Sequence, residues 1–422
     1  MLAYFLEHNR YLNLLGIILI TVIAFLFSKN RYAINIRLLA SALFLHFLFA
    51  YIMLRTQWGT FLVGKIAQGA EQLYIFADKG IEFMFGKLSN EQLPWGFVFA
   101  IKVLPVIIFV GALTALFFHW GIIQRLIQGL NWFIRPLLGT TGVETMATIA
   151  NSILGQTEAA LFMGGYIHIM TRSELFLLMC SGMAAISVSV LVIYVLIGIP
   201  ALHVLAATVM SIPASIYISK ILVPETEISV SATAPNIQFE KVKTTNIFDA
   251  ISKGTMDGLK LAISVAAMLI SFLALLAMSN YILNLSGIYT NMVLAYFNSA
   301  FRIPELSIAY LLSFIFMPFA YLLGFSGPEL WQAGKLLGIK VSMNELIAFD
   351  ALVKESLSER TFMLLVYALC GFSNFSCIGI QVGMIGALVP DKRSTITELG
   401  LYAVLGSSLA NLLSALIVGL LL

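Results

Sequence analysis

The sequence predicts an all-α integral membrane protein: about eight transmembrane helices, two re-entrant helical hairpins, an inverted repeat and amphipathic helices lying on the membrane surface. Three observations predict it. Of the 422 residues, 60% are hydrophobic and only 11% charged, against about a quarter charged in an ordinary soluble domain. Several apolar segments run about 20 residues, the length of a spanning helix, whereas a β-barrel would show ~10-residue alternating strands. The second half of the chain also repeats, in order, the polar punctuation of the first.

The first span is expected over residues 11–27 and the second over 34–54, with Lys29, Arg31 and Arg37 around the loop between them. Basic residues favour the cytoplasmic side, so that loop is inside and the N-terminus outside. The first seven residues carry no basic n-region and no small-residue cleavage site, and no removable signal peptide is expected. Residues 61–87 mix Lys65, Glu71, Asp78, Lys79 and Glu82 with Leu, Ile and Phe at helical intervals, the pattern of a helix lying on the membrane. These segments, 1–95, read as an N-terminal scaffold.

Residues 96–222 read as a first repeat unit. A third span, 95–118, carries Lys102 and Pro105. The segment 122–138, with Arg125, Trp132 and Arg135, is amphipathic and too broken to cross. Residues 142–170 hold several Gly, Asn, Gln and Thr and suit two short helices that enter and return from one side, because irregular backbone at membrane depth must be buried in protein or line a cavity. Spans four (174–197) and five (202–222) follow. A cytoplasmic linker with an interfacial helix is expected over 223–258, its linker stretch (224–246) containing Pro224, Pro235, Glu240, Lys241 and Lys243.

The second repeat unit is 259–422. It comprises span six (259–285), a semi-polar segment to about 323, a charge-mixing segment 327–357, and spans seven (361–382) and eight (400–422) around Pro390-Asp391-Lys392-Arg393. Gly142-Val143-Glu144 before Glu158 matches Gly327-Pro328-Glu329 before Glu345. Ser173-Glu174 matches Ser358-Glu359, and Cys180 matches Cys370. Each unit makes three crossings, so the second copy must be inserted upside down, the usual build of secondary transporters.

Within this frame the acids stand out. Glu158 lies in the apolar run Ile153 to Phe162, where an ionised carboxylate costs roughly 2.5–3.5 kcal/mol on insertion scales, so it is expected to face a cavity or ligand. Asn151, Gln156, Thr157 and Glu158 together offer amide, hydroxyl and carboxylate groups suited to a polar ligand with several donors and acceptors. They equally suit hydrogen bonding between packed helices. Glu345, beside Asn344, mirrors Glu158; its bland alternative is an ion pair with Lys335, Lys340 or Lys102. Asp350 and the lysines of that segment are expected to be solvated or at the hairpin mouth. In span seven, Gly371-Phe372-Ser373-Asn374-Phe375-Ser376-Cys377 is too polar and Gly-flanked for a lipid-facing helix. Asn374 and Cys377 share a helical face, but Phe372 and Asn374 diverge unless the helix unwinds here.

A net charge of +3 without a dense basic tract gives no sign of nucleic-acid binding. No Gly-rich lysine loop for ATP and no His/Cys/carboxylate cluster of metal spacing occurs, so neither an enzyme nor an organic cofactor is expected. Cys180, Cys370 and Cys377 read as buried small side chains.

Gly155-Gln156-Thr157-Glu158-Ala159, Asn344-Glu345 and the run Cys370 to Ile380 resemble the signatures of the bacterial concentrative nucleoside transporters, and the resemblance extends over nearly the whole chain. It implies a cation-coupled symporter of the bacterial inner membrane that imports nucleosides, uridine-like and with purine nucleosides left open. It also implies a homotrimer in membrane lipid and an elevator-type mechanism. By the same resemblance, Gln156, Thr157 and Glu158 read the base; Glu345, Asn374 and Cys377 bind the ribose hydroxyls; Phe372 and Val190 supply apolar walls. A sodium site would use Asn151, Leu154, Ala185 and Ile186. Two departures matter: Cys377 and Ala185 stand where the family commonly has Ser. The lost hydroxyl at Ala185 removes a hard oxygen donor and leaves Na+ and H+ both open, with Glu158 or Glu345 as the proton carrier in the second case. The residues alone also leave open a carrier of another polar solute, such as a nucleobase or amino acid, and a passive channel.

Overall fold

A computed structural model describes residues 7–90, 92–96, 98–230, 244–296 and 306–422. Among these residues the elements are helical, with no strand. Most of the expected linker, including Pro235, Glu240, Lys241 and Lys243, lies outside the described residues, as does the side chain of Glu71.

The chain opens with α1 (Arg10–Leu26), α2 (Ile36–Arg55) and the 29-residue α3 (Gln57–Phe85), the last covering the segment expected on the membrane surface. The third expected span is two helices, α4 (Phe99–Lys102) and α5 (Leu104–His119), separated at Val103. The break follows from Pro105, which has no N–H to donate and whose ring crowds the preceding turn. Helix α6 (Ile122–Leu138) runs between Gly121 and Gly139, both left-handed.

The first unit continues with α7 (Gly142–Leu154), α8 (Gln156–Phe162), α9 (Gly164–Ile167), α10 (Arg172–Ala184), α11 (Val188–Ile197) and α12 (Ala201–Leu222). Then α13 (Ile247–Tyr296) runs 50 residues, so the expected interfacial helix and span six are one rod, uninterrupted at 258. The segment expected only as semi-polar contains a helix, α14 (Ile308–Leu322). The second unit closes with α15 (Gly327–Ser342), α16 (Glu345–Leu352), α17 (Glu359–Leu369), α18 (Phe375–Leu388) and α19 (Arg393–Leu421).

The two units have the same plan. In each, a helix breaks just ahead of an acid (α7/α8 at Gly155, α15/α16 at Met343 and Asn344). In each, the next expected span is also broken, α10/α11 at 185–187 and α17/α18 at 370–374, and an unbroken helix follows, α12 or α19. Helices α12 and α19 pack on each other, and α10, α17 and α18 pack on α19. Five helical stretches among the described residues are long and apolar enough to cross a membrane: Glu7–Leu26, Ile36–Arg55, Phe99–His119, Ala201–Leu222 and Pro390–Leu421. Expected spans four and seven are absent from these five because each is divided midway.

Around this centre, α5 lies along α13. Gly254 and Gly258 form a small-xxx-small pair at the contact; a Cβ at Gly254 would stand 2.6 Å from the Gly111 carbonyl oxygen and one at Gly258 2.9 Å from that of Ile107. Without side chains there, the two backbones touch, the close approach that dispersion favours between helices in lipid.

The repeated Gly-x-Glu motifs now have a local role. Thr141 and Glu144 form a capping box at the start of α7, and Thr171 and Glu174 form another at the start of α10. Thr141 Oγ1 donates to Glu174 Oε1 at 3.0 Å, and buried Lys220 of α12 pairs with buried Glu144. In the second unit Glu329 accepts from Ser358 N at 2.7 Å and Thr361 Oγ1 at 2.5 Å. Glu329 therefore ties the foot of its broken helix pair to the start of the next span, whereas Glu144 ties its own to the end of α12 and leaves the link to the next span to Thr141. Removing one partner of a buried ion pair costs about 3–5 kcal/mol, because the other charge stays buried. Lys220→Met is expected to lower the melting temperature of the purified protein sharply, and adding Glu144→Gln to recover most of the loss.

Candidate functional site

The breaks set the site. At Gly155 the backbone turns through φ 91°, ψ 167°, a conformation open to glycine alone. A Cβ there would stand 2.7 Å from Ser187 Cβ, so the α7/α8 break sits against the α10/α11 break. Ser187 caps α11 by accepting from Val190 N at 3.4 Å. In the second unit Asn344 caps α16 through Ile347 N at 2.9 Å, and Asn374 caps α18 through Cys377 N at 3.0 Å. Span seven is unwound over 370–374, as the polar run requires, and this brings Asn374 to Glu345.

Glu345 is 5% exposed. Its Oε1 accepts from Tyr194 Oη at 3.0 Å, and its Oε2 lies 3.4 Å from Asn374 Nδ2. None of the candidate lysines takes it as an ion pair: Lys102 pairs with Asp78 at 2.8 Å, Lys335 is exposed, and Lys340 binds elsewhere. Gln156 crosses between the units. Its Nε2 donates to Cys377 Sγ at 3.3 Å, and its Oε1 accepts from Gln381 Nε2 at 3.1 Å. Glu158 is half-buried and accepts from Thr157 Oγ1 at 3.0 Å. Val190 and Phe372 are half-buried and pack against the core. The structure thus joins Gln156 to Cys377, Glu345 to Asn374, and Thr157 to Glu158, all at helix breaks, with hydrogen-bond donors, acceptors and an acid together.

Asn151 lies in the last turn of α7. Its Nδ2 donates to Ser181 Oγ at 2.8 Å and to the Leu178 carbonyl at 3.0 Å, while its buried Oδ1 has no hydrogen-bond partner. An unpaired amide oxygen at that depth costs about 1–3 kcal/mol, and a hard cation is the kind of guest it suits. Leu154, Ala185 and Ile186 all sit at the adjoining breaks.

Sequence reasoning missed Tyr194, Gln381 and Asn411, and expected Lys340 to be solvated. Gln381 follows Cys377 by one helical turn, and Asn411 is an amide inside an apolar span, so both had a signal. Lys340 is instead 2% exposed, because α15 turns it toward a carbonyl of α17 and the Asn411 amide. Asp350 is exposed, as expected, and pairs with Lys354 at 2.6 Å.

Three family models match: Na+ dependent nucleoside transporter N-terminus over residues 15–88, nucleoside recognition over 100–201, and Na+ dependent nucleoside transporter C-terminus over 203–419. The nucleoside permease NupC of Helicobacter pylori is 33% identical over 97% of each chain. The solved structure of CNTnw in an inward-facing substrate-bound state superposes with a TM-score of 0.87 at 35% identity over 99% of each chain. A variant of the same protein in an outward-facing state gives 0.89 at 35% identity, over 97% of this chain and 98% of that one.

Proposed function

This chain belongs to the concentrative nucleoside transporter family, and from that premise we propose that it is a symporter importing nucleosides of the uridine type into a bacterial cell across the inner membrane, driven by sodium. As a family of permeases, it is not a family of enzymes. The observation that carries the reading is the pairing of Glu345 with Asn374 at two facing helix breaks. A carboxylate and an amide side by side match two vicinal hydroxyls, a feature every ribonucleoside presents. Gln156, Thr157 and Glu158 then meet the edge of the base, and Phe372 and Val190 flank it.

The α10/α11 and α17/α18 pairs each make one broken crossing, giving eight crossings in two units of opposite orientation, with 1–95 as scaffold and 96–222 and 259–422 as the units. Transport is of the elevator type, in a homotrimer surrounded by lipid. The inward-facing and outward-facing structures of the relative support alternating access. Asn151 Oδ1, with backbone oxygens of Leu154, Ala185 and Ile186, would hold the sodium. Ala185 contributes no side-chain oxygen, but its peptide carbonyl remains.

The test is uptake of uridine and a purine nucleoside into proteoliposomes with sodium and proton gradients imposed separately. Sodium-driven accumulation of uridine is expected; accumulation driven by the proton gradient alone would contradict the choice of ion, and equilibration without accumulation would point to a channel. Cys377 offers a further check. A thiol is a weak acceptor and donor, so Cys377→Ser is expected to lower the uridine KM by roughly the fivefold that a ~1 kcal/mol hydrogen bond gives. An unchanged KM would remove residue 377 from the site.

A further inference from the structure

Lys340 has no use in the site as described, yet its burial is nearly complete. Its Nζ donates to the Ala368 carbonyl at 2.8 Å and to Asn411 Oδ1 at 2.7 Å. Both acceptors are neutral, and among the described residues no carboxylate lies within 4 Å of the ammonium. Ala368 lies in the last turn of α17, before the 370–374 break. Asn411 turns its other end to the first unit, where Nδ2 donates at 2.7 Å to the Ala184 carbonyl at the end of α10. Ser373 Oγ donates to Asn411 Oδ1 at 3.2 Å. The carbonyl ends of two helices, one from each unit, are therefore drawn to one amide and one ammonium.

Helix C-termini carry about half a negative charge, and in inverted-repeat carriers such ends and unwound carbonyls are where mobile cations bind. In the first unit the corresponding region holds Asn151, in the last turn of α7 against α10, with its oxygen unpaired. In the second unit the last turn of α15 holds a lysine, whose ammonium already stands against the end of α17. Its burial uses a charge where a neutral donor such as glutamine would serve a purely structural cap.

We propose that Lys340 is a tethered cation: its ammonium occupies, in the second unit, the place that a mobile coupling ion takes in the first, so that the loaded carrier exchanges one cation and not two. The first-unit half of this statement rests on the reading of Asn151 given above. The second-unit half stands on the Lys340 geometry alone.

The test is the melting temperature of the purified full chain, without nucleoside, as sodium replaces choline at constant ionic strength. Wild type is expected to show one saturable stabilisation. Lys340→Met is expected to melt lower in choline and to gain a second stabilisation, with sodium or with methylammonium. Above saturation its stability then rises with the logarithm of sodium concentration at about twice the wild-type slope, one increment for each site that binds. A Lys340→Met curve with the same steepness and midpoint as wild type, and no response to methylammonium, would overturn the proposal. Should Lys340→Met fail to fold in choline, recovery of folded protein by purification in sodium or methylammonium supports it, and failure in both overturns it. Lys340→Arg, which keeps the charge, is expected to follow the wild-type curve with no second stabilisation; a second stabilisation in it as well would count against the charge as the cause. The substrate assignment is not at stake in this experiment: a chain that does not transport uridine but shows these curves loses the assignment and keeps the tethered cation. If Asn151 is not an ion site, wild type shows no sodium response while Lys340→Met still does.

Discussion

Glu345→Gln is expected to reduce uridine uptake into proteoliposomes by at least about a hundredfold. The carboxylate is buried, accepts from Tyr194, and faces Asn374 across the break between α17 and α18. Two ribose hydroxyls donating to it would form charge-assisted hydrogen bonds, worth about 1.5–3 kcal/mol each, and each ~1.4 kcal/mol is a factor of ten. Glutamine keeps the size and one carbonyl oxygen for Tyr194, so the fold survives and the melting temperature changes little. The loss is confined to ligand. Uptake within twofold of wild type would exclude Glu345 from the binding site.

The second large effect is in the backbone. Gly371→Ala is expected to lower both stability and transport. At Gly371 φ is 139°, and a Cβ would lie 2.6 Å from the Ala184 carbonyl oxygen and 2.6 Å from Asn411 Oδ1. Backbone strain of about 1–3 kcal/mol adds to overpacking of typically 1–3 kcal/mol. The displaced groups are those that join the two units, so the α17/α18 break cannot hold Asn374 at Glu345. Gly379→Ala, on α18 with nothing within 4 Å of its added Cβ, is the control and is expected to leave the melting temperature unchanged or slightly raised, alanine being the better helix former. Equal effects from the two substitutions would mean that the break is not specially constrained.

Much of this was legible because a membrane makes polar residues conspicuous. Glu158, Glu345 and the run from Gly371 to Cys377 stand out against apolar neighbours, and an acid at that depth needs a reason to be there. The Gly-x-Glu repeat was visible as spacing, but its role in tying Glu144 to Lys220 and Glu329 to Ser358 was not, since hydrogen bonds across distant segments leave no local pattern. The α17/α18 break could be read from its residues, whereas 185–187, Ala-Ile-Ser, carries no glycine or proline and is broken by its surroundings. Lys340 was misplaced for a related reason: a lysine among Glu329, Lys335, Glu345 and Asp350 looks like part of a solvated face, and only the convergence of α15, α17 and α19 shows it turned inward.

The central claim is that the acid–amide pair in the second unit grips the sugar of a nucleoside. Its most direct test is a cycle of residue against ligand: competition of labelled uridine uptake by uridine and by 2′,3′-dideoxyuridine, in wild type and in Glu345→Asp, which keeps the charge but shortens its reach. Loss of both hydroxyls is expected to weaken competition about a hundredfold in wild type and only a few-fold in the variant, because the lost contacts are the same ones. Competition by the dideoxy compound that equals that of uridine in wild type would contradict the account.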